Sequence, residues 1–387
     1  IAANQRTINW YPEIIEDENE GRRIVLNPCP GLDDFSSVGA GPHRANILWS
    51  SLVYSESGSE VYTTNSAGAD VLLGTVSNVN NGTPVFMAAS ADEMLIISDG
   101  LGYRIVGGVL SAMADADFPA SGLWGGYSDG YFIVITATRI YISALNNVSS
   151  WDALDFTTVQ ASINTLVTGL IVNQQLIVFG TEITKIFTNT GNVDFPYETD
   201  AGGTIQYGCA AVAGVTKAGD TFLWLESSDQ GRGVIRDASG RKVSNFGVDF
   251  AIQGYTTISD CVAFSFQYQG HLFSQFSFPS AGRTWRYDHG NGFWHEAHYW
   301  NTATGTFQAH LGLFHVFAFN RHLVGSRLSG IIYEMDDAFY SDDGAPIRRL
   351  RRSPHIRNDH KRGFYDSLEI LMETGVGLQV ASGAAGF

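Results

Sequence analysis

The feature that most constrains the fold is a hairpin pattern that recurs along the whole sequence. Each unit is an apolar run, a turn rich in Gly, Ser or Asp, and a second apolar run with aromatic residues, as expected for two antiparallel strands. The units start about 40–50 residues apart, which is typical of four-stranded propeller blades. The sequence therefore predicts an all-β protein, a seven-bladed β-propeller around a central channel, with six or eight blades also compatible. The hairpins span residues 46–65, 93–108, 131–145, 175–191, 221–240, 271–296 and 322–336.

The composition supports a folded β protein. Of the 387 residues, 44% are hydrophobic and only 16% are charged, so a large core is available and global disorder is excluded. No apolar run reaches the roughly 18–20 residues of a membrane helix, so we expect no membrane insertion by this chain. The three cysteines, Cys29, Cys209 and Cys261, are far apart and are expected to be buried thiols.

Two regions are predicted along the chain. Residues 1–345 form the propeller, and residues 1–36 help to close its ring. The segment 23–35 is expected to add a strand to the last blade, at an edge because Pro28 and Pro30 lack ladder donors. Residues 346–387 form a basic connection followed by a C-terminal β segment.

The most unusual local feature is the charge of residues 348–362. The whole chain has 39 Asp+Glu against 23 Lys+Arg, a net charge of −16. This segment holds seven basic residues and one acid, so it carries +6 and the rest of the chain carries −22. Such asymmetry indicates an interaction surface. The assembly-contact candidates are Arg348, Arg349, Arg351, Arg352, Arg357, Lys361 and Arg362.

An acidic partner suits these residues better than DNA does. Arginines pair with carboxylates in two-pronged contacts, and a neighbouring subunit or an adaptor protein could supply them. A body charge of −22 opposes a polyanion at low salt. The alternative, of about equal weight, is that the arginines only form intrachain or intersubunit ion pairs.

Paired carboxylates are the first candidates for catalysis. Adjacent acids could act as acid and base on a glycosidic bond, but all three pairs lie in turn-like sequence, where solvated surface acids are the usual finding. The pairs are Asp115 with Asp117, Asp336 with Asp337, and Asp342 with Asp343. The segment 227–233 partly matches the Asp-box of sialidases, and we interpret it as a hairpin turn.

The histidines give no better site. His295 and His298 lie three residues apart in strand-like sequence, where they face opposite sides of a sheet and do not form the helical zinc motif. No glycine-rich phosphate loop opens a helix. The sequence therefore predicts no catalytic, cofactor-binding or metal-binding residues, and a protein that is not an enzyme.

Several motifs, in order, resemble one family. They are 9-NWYPE-13 followed by Pro30-Gly31-Leu32, then 149-SSWDALDF-156, 176-LIVFGTEITKIFTNTGNVDFPYE-198, 207-YGCAA-211 and 222-FLWL-225, and finally 371-LMETGVG-377 after the basic segment. This pattern is similar to the packaged-DNA stabilisation or tail-hub proteins at the neck of short-tailed bacteriophages. The resemblance covers most of the chain.

The resemblance implies a structural role in the virion. Such a protein is a β-propeller that assembles as a ring, a hexamer by resemblance, and forms a hub or nozzle that extends the portal channel. It retains packaged double-stranded DNA without sequence-specific contact, lets it pass during genome ejection, and anchors distal tail parts. The implied partners are portal or adaptor proteins above and tail needle, tail fibre or tailspike proteins below. The implied location is the tail or neck, after assembly in the host cytoplasm.

One departure from the family pattern concerns the C-terminus. Relatives continue past the stretch like 371–377 into a β-sandwich, whereas this sequence ends ten residues later, at Phe387. Residues 364–377 are expected to be a strand, a turn and the start of another strand, which would make them the beginning of a truncated sandwich. The alternative function, open because propellers host many activities, is a receptor- or glycan-binding propeller, with glycoside hydrolysis as one form of it.

Overall fold

The structure, a computed structural model, describes residues 6–17, 21–77, 82–159, 165–228, 231–353 and 366–367. The N-terminal part forms four strands, of which the second and third pair as a hairpin. They are β1 (Arg6–Ile8), β2 (Trp10–Asp17), β3 (Gly21–Pro28) and β4 (Gly31–Ser37).

Seven blades follow, and in blades one to four and blade six the antiparallel strands are in chain order from the innermost outward. Blade one contains β5 (His43–Trp49), β6 (Leu52–Ser57), β7 (Glu60–Thr64) and β8 (Asp70–Thr75). Blade two contains β9 (Phe86–Ala89), β10 (Glu93–Ser98), β11 (Leu101–Val106) and β12 (Val109–Ala112). Blade three contains β13 (Trp124–Ser128), β14 (Tyr131–Ile135), β15 (Arg139–Ala144) and β16 (Asn147–Thr158). Blade four contains β17 (Leu166–Val172), β18 (Gln175–Gly180), β19 (Thr184–Asn189) and β20 (Tyr197–Ile205).

Blade five is irregular, because its second strand is innermost, its first strand pairs with the third, and a helix follows the fourth. It contains β21 (Gly208–Cys209), β22 (Val215–Ala218), β23 (Thr221–Ser228), β24 (Gly231–Asp237) and α1 (Phe246–Gln253). Blade six contains β25 (Val262–Tyr268), β26 (His271–Phe278), β27 (Arg283–Asp288) and β28 (Trp294–Glu296), followed by a hairpin of β29 (His298–Asn301) and β30 (Thr306–Ala309). Blade seven contains β31 (Gly312–Ala318), β32 (Arg321–Ser326) and β33 (Ile331–Asp336), and the chain continues into β34 (Ser341–Asp342), β35 (Ala345–Pro346) and β36 (Leu350–Arg352).

The innermost strands form a closed circle. Each of them contacts the innermost strand of the next blade, and β31 of blade seven contacts β5 of blade one. The prediction of a seven-bladed, all-β propeller is confirmed, and each predicted hairpin overlaps two consecutive strands of one blade. In the described part of the chain, α1 is the one α-helix.

Local sequence explains why the strands turn where they do. In blade two, a run of buried apolar residues ends at Asp99-Gly100, where both residues adopt positive φ angles of 49° and 81°. This left-handed geometry matches the twist of a two-residue hairpin and favours Asn, Asp and Gly. Near the axis, small residues are required: a Cβ on Gly126 would lie 2.1 Å from a ring atom of Trp124.

The ring is closed by a strand from the other end of the chain. Strand β4 pairs antiparallel with β33 and supplies the fourth strand of blade seven, with Leu32 opposite Met335. The segment predicted to do this, residues 23–35, is in fact divided between two strands. Its first half belongs to β3, which pairs with β2, and the change of partner falls at Pro28 and Pro30, which cannot donate to a ladder.

Extra strands extend blades six and seven outward. Strand β1 pairs parallel with β28, and β36 pairs antiparallel with β1, so blade six belongs to a six-stranded sheet. Blade seven is extended beyond β4 by β34 and β35. The predicted edge position of the N-terminal strand is therefore wrong for blade seven, because Asp342 of β34 pairs with Leu32.

Buried apolar clusters between neighbouring blades hold the ring together. Where blades six and seven meet, Phe266 and Phe273 pack against Leu32 and Met335, so the closing strand contributes to the core. No helix among the described residues is long and apolar enough to cross a membrane. The predicted C-terminal β segment, residues 364–377, lies outside the described residues apart from 366–367, and the domain boundaries at 345 and 346 stay a prediction.

Closure of the ring can be tested at Leu32, which is fully buried. Leu32→Ala should lower the free energy of unfolding by about 2–5 kcal/mol, because a cavity opens where β4 meets blade seven. Urea unfolding followed by tryptophan fluorescence measures this loss. The matched control is Leu154→Ala on the outer strand of blade three, where the side chain is 80% exposed. Equal losses for the two variants would contradict the role of β4 in closing the ring.

Candidate assembly site

The basic connection does not extend freely from the propeller. In β36 it forms a ladder with β1, in which Arg352 lies opposite Arg6 and Leu350 opposite Ile8. We call the region where β1, blade six, the β29–β30 hairpin and residues 338–353 meet the closure region. This region is built from both ends of the described chain, and it holds the arginines that the sequence indicated as candidates.

Asn9 is the residue that ties these elements together. It has a positive φ of 57°, is almost fully buried, and lies between β1 and β2. Its side-chain amide donates to the carbonyls of His298 and Arg348, both at 2.9 Å, and its Oδ1 accepts from the backbone N–H of His298 at 2.7 Å. Asparagine tolerates this left-handed geometry better than most residues do. One side chain thus fixes the N-terminus, the β29–β30 hairpin and the basic connection.

A buried carboxylate anchors β1 to blade six. Arg6 donates to both oxygens of Glu296, from Nε at 2.5 Å and from Nη2 at 2.6 Å, and His298 Nε2 lies 2.7 Å from Oε2. Burial acts to raise the pKa of Glu296, but the hydrogen bonds from Arg6 and His298 outweigh it and lower the pKa to about 2. The carboxylate is therefore ionised, and its hydrogen bonds are charge-assisted.

The first two candidate arginines contact aromatic rings of the same chain. The guanidinium of Arg348 lies 4.2 Å from the ring centre of Trp300 and 5.6 Å from that of Phe307. That of Arg349 lies 5.4 Å from the ring of Trp10. A cation over an aromatic face is stabilised by about 0.5–2 kcal/mol. These two arginines hold the connection against the propeller.

The next two candidates lie on β36. Arg351 donates to the hydroxyl of Thr7 across the ladder, and both Arg351 and Arg352 are exposed on the last strand of the six-stranded sheet. The structure thus brings the first four candidates onto one short segment. The other three, Arg357, Lys361 and Arg362, lie outside the described residues.

A buried acid and a buried base lie beneath the connection. Burial raises the pKa of Asp342 to about 7, although Arg349 and Arg286 attract its charged form. Arg286 is fully buried, and its Nη2 donates to Gln275 at 2.6 Å. Burial also raises the pKa of the Cys29 thiol, and all three cysteines are free and buried, as the sequence predicted.

The carboxylate pairs do not form a catalytic arrangement. Asp115 accepts from the backbone N–H of Asp117 at 2.9 Å, so these two residues form a turn, and the hydrogen bonds from Asp117 and Trp151 lower the pKa of Asp115. In the other pairs, Asp336 accepts from the N–H of Ala338 two residues on, while Asp342 is buried and Asp343 is exposed. The Asp-box segment lies partly outside the described residues.

The two histidines considered as a metal site, His295 and His298, have different surroundings. His295 is buried beside Tyr11 and Phe273, whereas His298 lies against Glu296. Within the described ranges, no group of three or more His, Cys, Asp or Glu side chains could hold a metal ion.

Two of the cavities formed by the described residues lie between blades. The first, of about 560 Å³, lies between blades three and four and is lined by Asp129, Tyr131, Asp155, Asn192 and Asp194 among others. The second, of about 430 Å³, lies between blades two and three and includes Phe86, Ile97 and Asp99. Acidic groups line the first cavity, but nothing else about it indicates a particular ligand.

Sequence reasoning missed the polar residues that join blades one and two. Arg44 is fully buried, with Nη1 2.7 Å from Glu56 Oε1 and Nη2 3.3 Å from Asp99 Oδ1. Arg44 also donates to the carbonyl of Thr83 at 2.7 Å, in the connection between the blades. Burial raises the pKa of Glu56 to about 8 against the attraction of Arg44. No local pattern indicates this cluster, because its members come from three separate segments.

The fold and the closure region define a class: a seven-bladed propeller of an acidic chain, with a basic connection fixed at the seam of its ring. The family whose model matches residues 5–340 is described as bacteriophage P22 Gp10, beta-propeller, a phage stabilisation family. The chain belongs to this family. The resemblance indicated by the sequence motifs is therefore confirmed, and the protein is a member of a phage structural family.

Comparisons with other proteins support the fold alone. No curated protein matches this sequence. A virginiamycin B lyase from Staphylococcus aureus is similar with a TM-score of 0.54 and 10% identity, covering 79% of this chain and 99% of that one. The N-terminal domain of Nup159 has a TM-score of 0.48 and 10% identity, covering 86% of this chain and 99% of that one. At 10% identity, the likeness to the lyase shows only a shared propeller fold. The likeness to the Nup159 domain supports no argument, because its TM-score is below 0.5.

Because histidines are buried in the fold, we expect the free energy of unfolding to depend on pH. Burial lowers the pKa of His310 to about 3, so the folded protein keeps this ring neutral. The unfolded chain binds a proton near pH 6.5, so the stability that His310 contributes is present above that pH and is lost as the pH falls toward 3.

His310→Gln should therefore change the pH profile. Between pH 6.5 and 4, the fall in free energy of unfolding should be shallower by about 1.4 kcal/mol per pH unit than in the wild type. Urea midpoints at half-unit intervals of pH give both slopes. Parallel profiles for the two proteins would show that His310 does not titrate as its burial requires.

Asn9 provides a second test of the closure region. Asn9→Ala removes three hydrogen bonds. It also places at positive φ a residue whose side chain cannot form hydrogen bonds. This change should lower the free energy of unfolding by about 1–3 kcal/mol or more, because the carbonyl of His298 and other buried groups lose their hydrogen-bond partner. Hydrogen exchange should become faster at residues 348–352 while β10 in blade two stays protected. Unchanged exchange in the connection would contradict the role assigned to Asn9.

Proposed function

We propose that this protein is a ring-forming structural component of the phage tail or neck, a hub or nozzle that extends the portal channel. The observation that carries the proposal is an exposed, arginine-bearing strand, β36, held on the edge of a rigid propeller whose remaining chain is strongly acidic. Family membership supports a virion component. The resemblance favours a hexamer. It also favours assembly of that hexamer in the host cytoplasm.

The arginines suit a contact with an acidic protein surface. Arg351 and Arg352 lie on an outermost strand and remain exposed, so a neighbouring copy or an adaptor protein can reach them. A charge pair that becomes buried on assembly contributes more than a rim pair, whose typical worth is below about 1 kcal/mol. In cyclic symmetry the same contact is repeated at every interface.

The acidic body suits passage of DNA. A net charge of −22 outside the basic segment gives packaged double-stranded DNA few attractive contacts with the ring. The ring would retain DNA sterically, because its channel is narrow. It would make no sequence-specific contact with the DNA and would let it pass at ejection. Portal or adaptor proteins would lie above, with tail needle, tail fibre or tailspike proteins below.

The proposed role involves no catalysis. A glycan-binding or hydrolytic propeller is the alternative, and the acidic cavity between blades three and four is the place where it would act. The test is to incubate the protein with bacterial surface polysaccharide and to measure released reducing ends. We expect none. Release that disappears in Asp129→Asn or Asp155→Asn would support the hydrolase.

The assembly contact can be tested by separating the two pairs of arginines. Arg351→Ser/Arg352→Ser should leave the free energy of unfolding nearly unchanged and weaken ring formation or docking to partners. Arg348→Ser/Arg349→Ser is the matched control, which should instead lower the free energy of unfolding by about 1–3 kcal/mol because three ring contacts are lost.

Two measurements decide the assignment: oligomer mass and DNA affinity, each at low and high salt. If the Arg351/Arg352 variant assembles normally while its DNA binding weakens with a shallower salt slope, the segment contacts phosphate and the proposal for it is wrong.

A further inference from the structure

The histidines of this chain are distributed unevenly around the propeller. No histidine occurs between His43 and His271, so blades two to five contain none. The described histidines lie in blades six and seven and the segment that joins them, or on the first strand of blade one, where His43 packs against Gly325 of blade seven. Imidazole groups are thus confined to one sector of the propeller. They are His43, His271, His289, His295, His298, His310, His315 and His322.

Burial makes most of these histidines difficult to protonate. It lowers the pKa of seven of them, to about 4 for His43 and to about 3 for His310 and His315. The folded protein keeps these three imidazoles neutral at pH values where an exposed histidine, with a pKa of about 6.5, is charged. Stability that depends on neutral imidazoles is therefore present above that pH and is lost as the pH falls toward the lowered values.

Two of the histidines bond to each other at the seam between blades six and seven. Nε2 of His315 lies 2.9 Å from Nδ1 of His322, and the ring centres are 5.2 Å apart. Both residues belong to blade seven, on β31 and β32. His315 stacks on Phe264 of blade six, with ring centres 5.8 Å apart, and His322 meets the ring of Tyr268 edge-on at 5.5 Å. The pair therefore forms part of the contact between the two blades.

The surroundings of the pair do not compensate a positive charge. Asp336 of β33 attracts the charged form of His322, yet burial outweighs this attraction and lowers the pKa of that imidazole. The pKa of His315 is lowered first by burial and further by the nearby His322. The remaining titratable or charged groups near the pair are Tyr268 of β25, Arg286, which lies 5.0 Å from the ring centre of Phe266, and Arg321 on β32.

The chemistry of imidazole limits how many protons the bonded pair can hold. A neutral imidazole has one N–H and one lone pair, and the bond between the two rings uses the N–H of one and the lone pair of the other. One added proton can go to the remaining outer lone pair and leave this bond intact. A second proton has to go to the accepting nitrogen, so that two N–H groups would point at each other across 2.9 Å. The closed seam thus holds at least one proton fewer than two separated, hydrated imidazoles.

We propose that acid opens the propeller at the seam between blades six and seven, with the bond between His315 and His322 as the proton-sensitive contact. Blades two to five, which contain no histidine, stay closed at the same pH. This device belongs to the single chain and does not depend on the assembly role proposed above. Because the opened seam binds at least one more proton, its population should rise about tenfold for each pH unit below about 6.5.

The buried native thiols report on this opening. Cys29 lies in the apolar cluster where blades six and seven meet, and Cys209 lies in the cluster between blades four and five. Labelling with a pyridyl disulfide, which reacts with thiols in acid, followed by peptide mass spectrometry, gives both rates. The ratio of the Cys29 rate to the Cys209 rate should rise about tenfold per pH unit below about 6.5. A ratio that does not change with pH, as when the whole fold opens at once, overturns the proposal.

A double variant removes the titration and keeps a hydrogen bond. In His315→Gln/His322→Asn, amide atoms replace Nε2 and Nδ1 and take up no proton, so the rise in the Cys29 rate should lose about a factor of ten per pH unit. His289→Gln is the matched control, because His289 bonds to Ser274 on the side of blade six that faces blade five. It should keep the wild-type pH dependence. A double variant with wild-type behaviour contradicts the role of the pair, and so does a control that loses the dependence.

Magnetic resonance of the isotope-labelled wild type tests the pair without any substitution. The scalar coupling between Nε2 of His315 and Nδ1 of His322 reports their hydrogen bond directly. It should be present at neutral pH and disappear over the pH range in which Cys29 becomes reactive. A coupling that persists while Cys29 is labelled overturns the inference, as do two imidazoles that each titrate at about pH 6.5 in the manner of exposed histidines.

Discussion

The pairing of β4 with β33 is the interaction on which the remaining structure depends. An array of blades leaves an open edge at each end, and seven blades become one rigid ring only when the N-terminal strand completes the last blade. Because this pairing joins residues about 300 positions apart, it is formed at a high cost in loop-closure entropy. The burial of Leu32 and the dense hydrogen bonding around Asn9 offset that cost.

This constraint explains why buried polar groups concentrate at blades six and seven. The chain ends must meet there, and backbone groups at strand ends need partners that regular ladders do not supply. Arg6 with Glu296, and Asn9 with His298 and Arg348, supply them. The same burial lowers the pKa of His310 to about 3, so this part of the ring loses stability as the pH falls.

The sequence was sufficient for the architecture because hairpins are local. An apolar run that stops at a turn such as Asp99-Gly100 specifies its own partner strand, and seven repetitions define the blades. It was insufficient for the site, because the contacts of Arg348 and Arg349 are with Trp300 and Trp10, which lie far away in the sequence. The charge of the segment was visible, but the aromatic partners of Arg348 and Arg349 are fixed only by tertiary structure.

The edges of the blades connect fold to assembly. A propeller that worked alone would be expected to protect every outer strand, and five blades do so with acids, a helix or added strands. Among the described residues, the outer strands of blades one and two differ, because one contains a single acid, Asp70, and the other contains no charge. Since exposed edges carry a risk of aggregation, the few charges on these two strands make them the least protected outer edges in the described part of the chain.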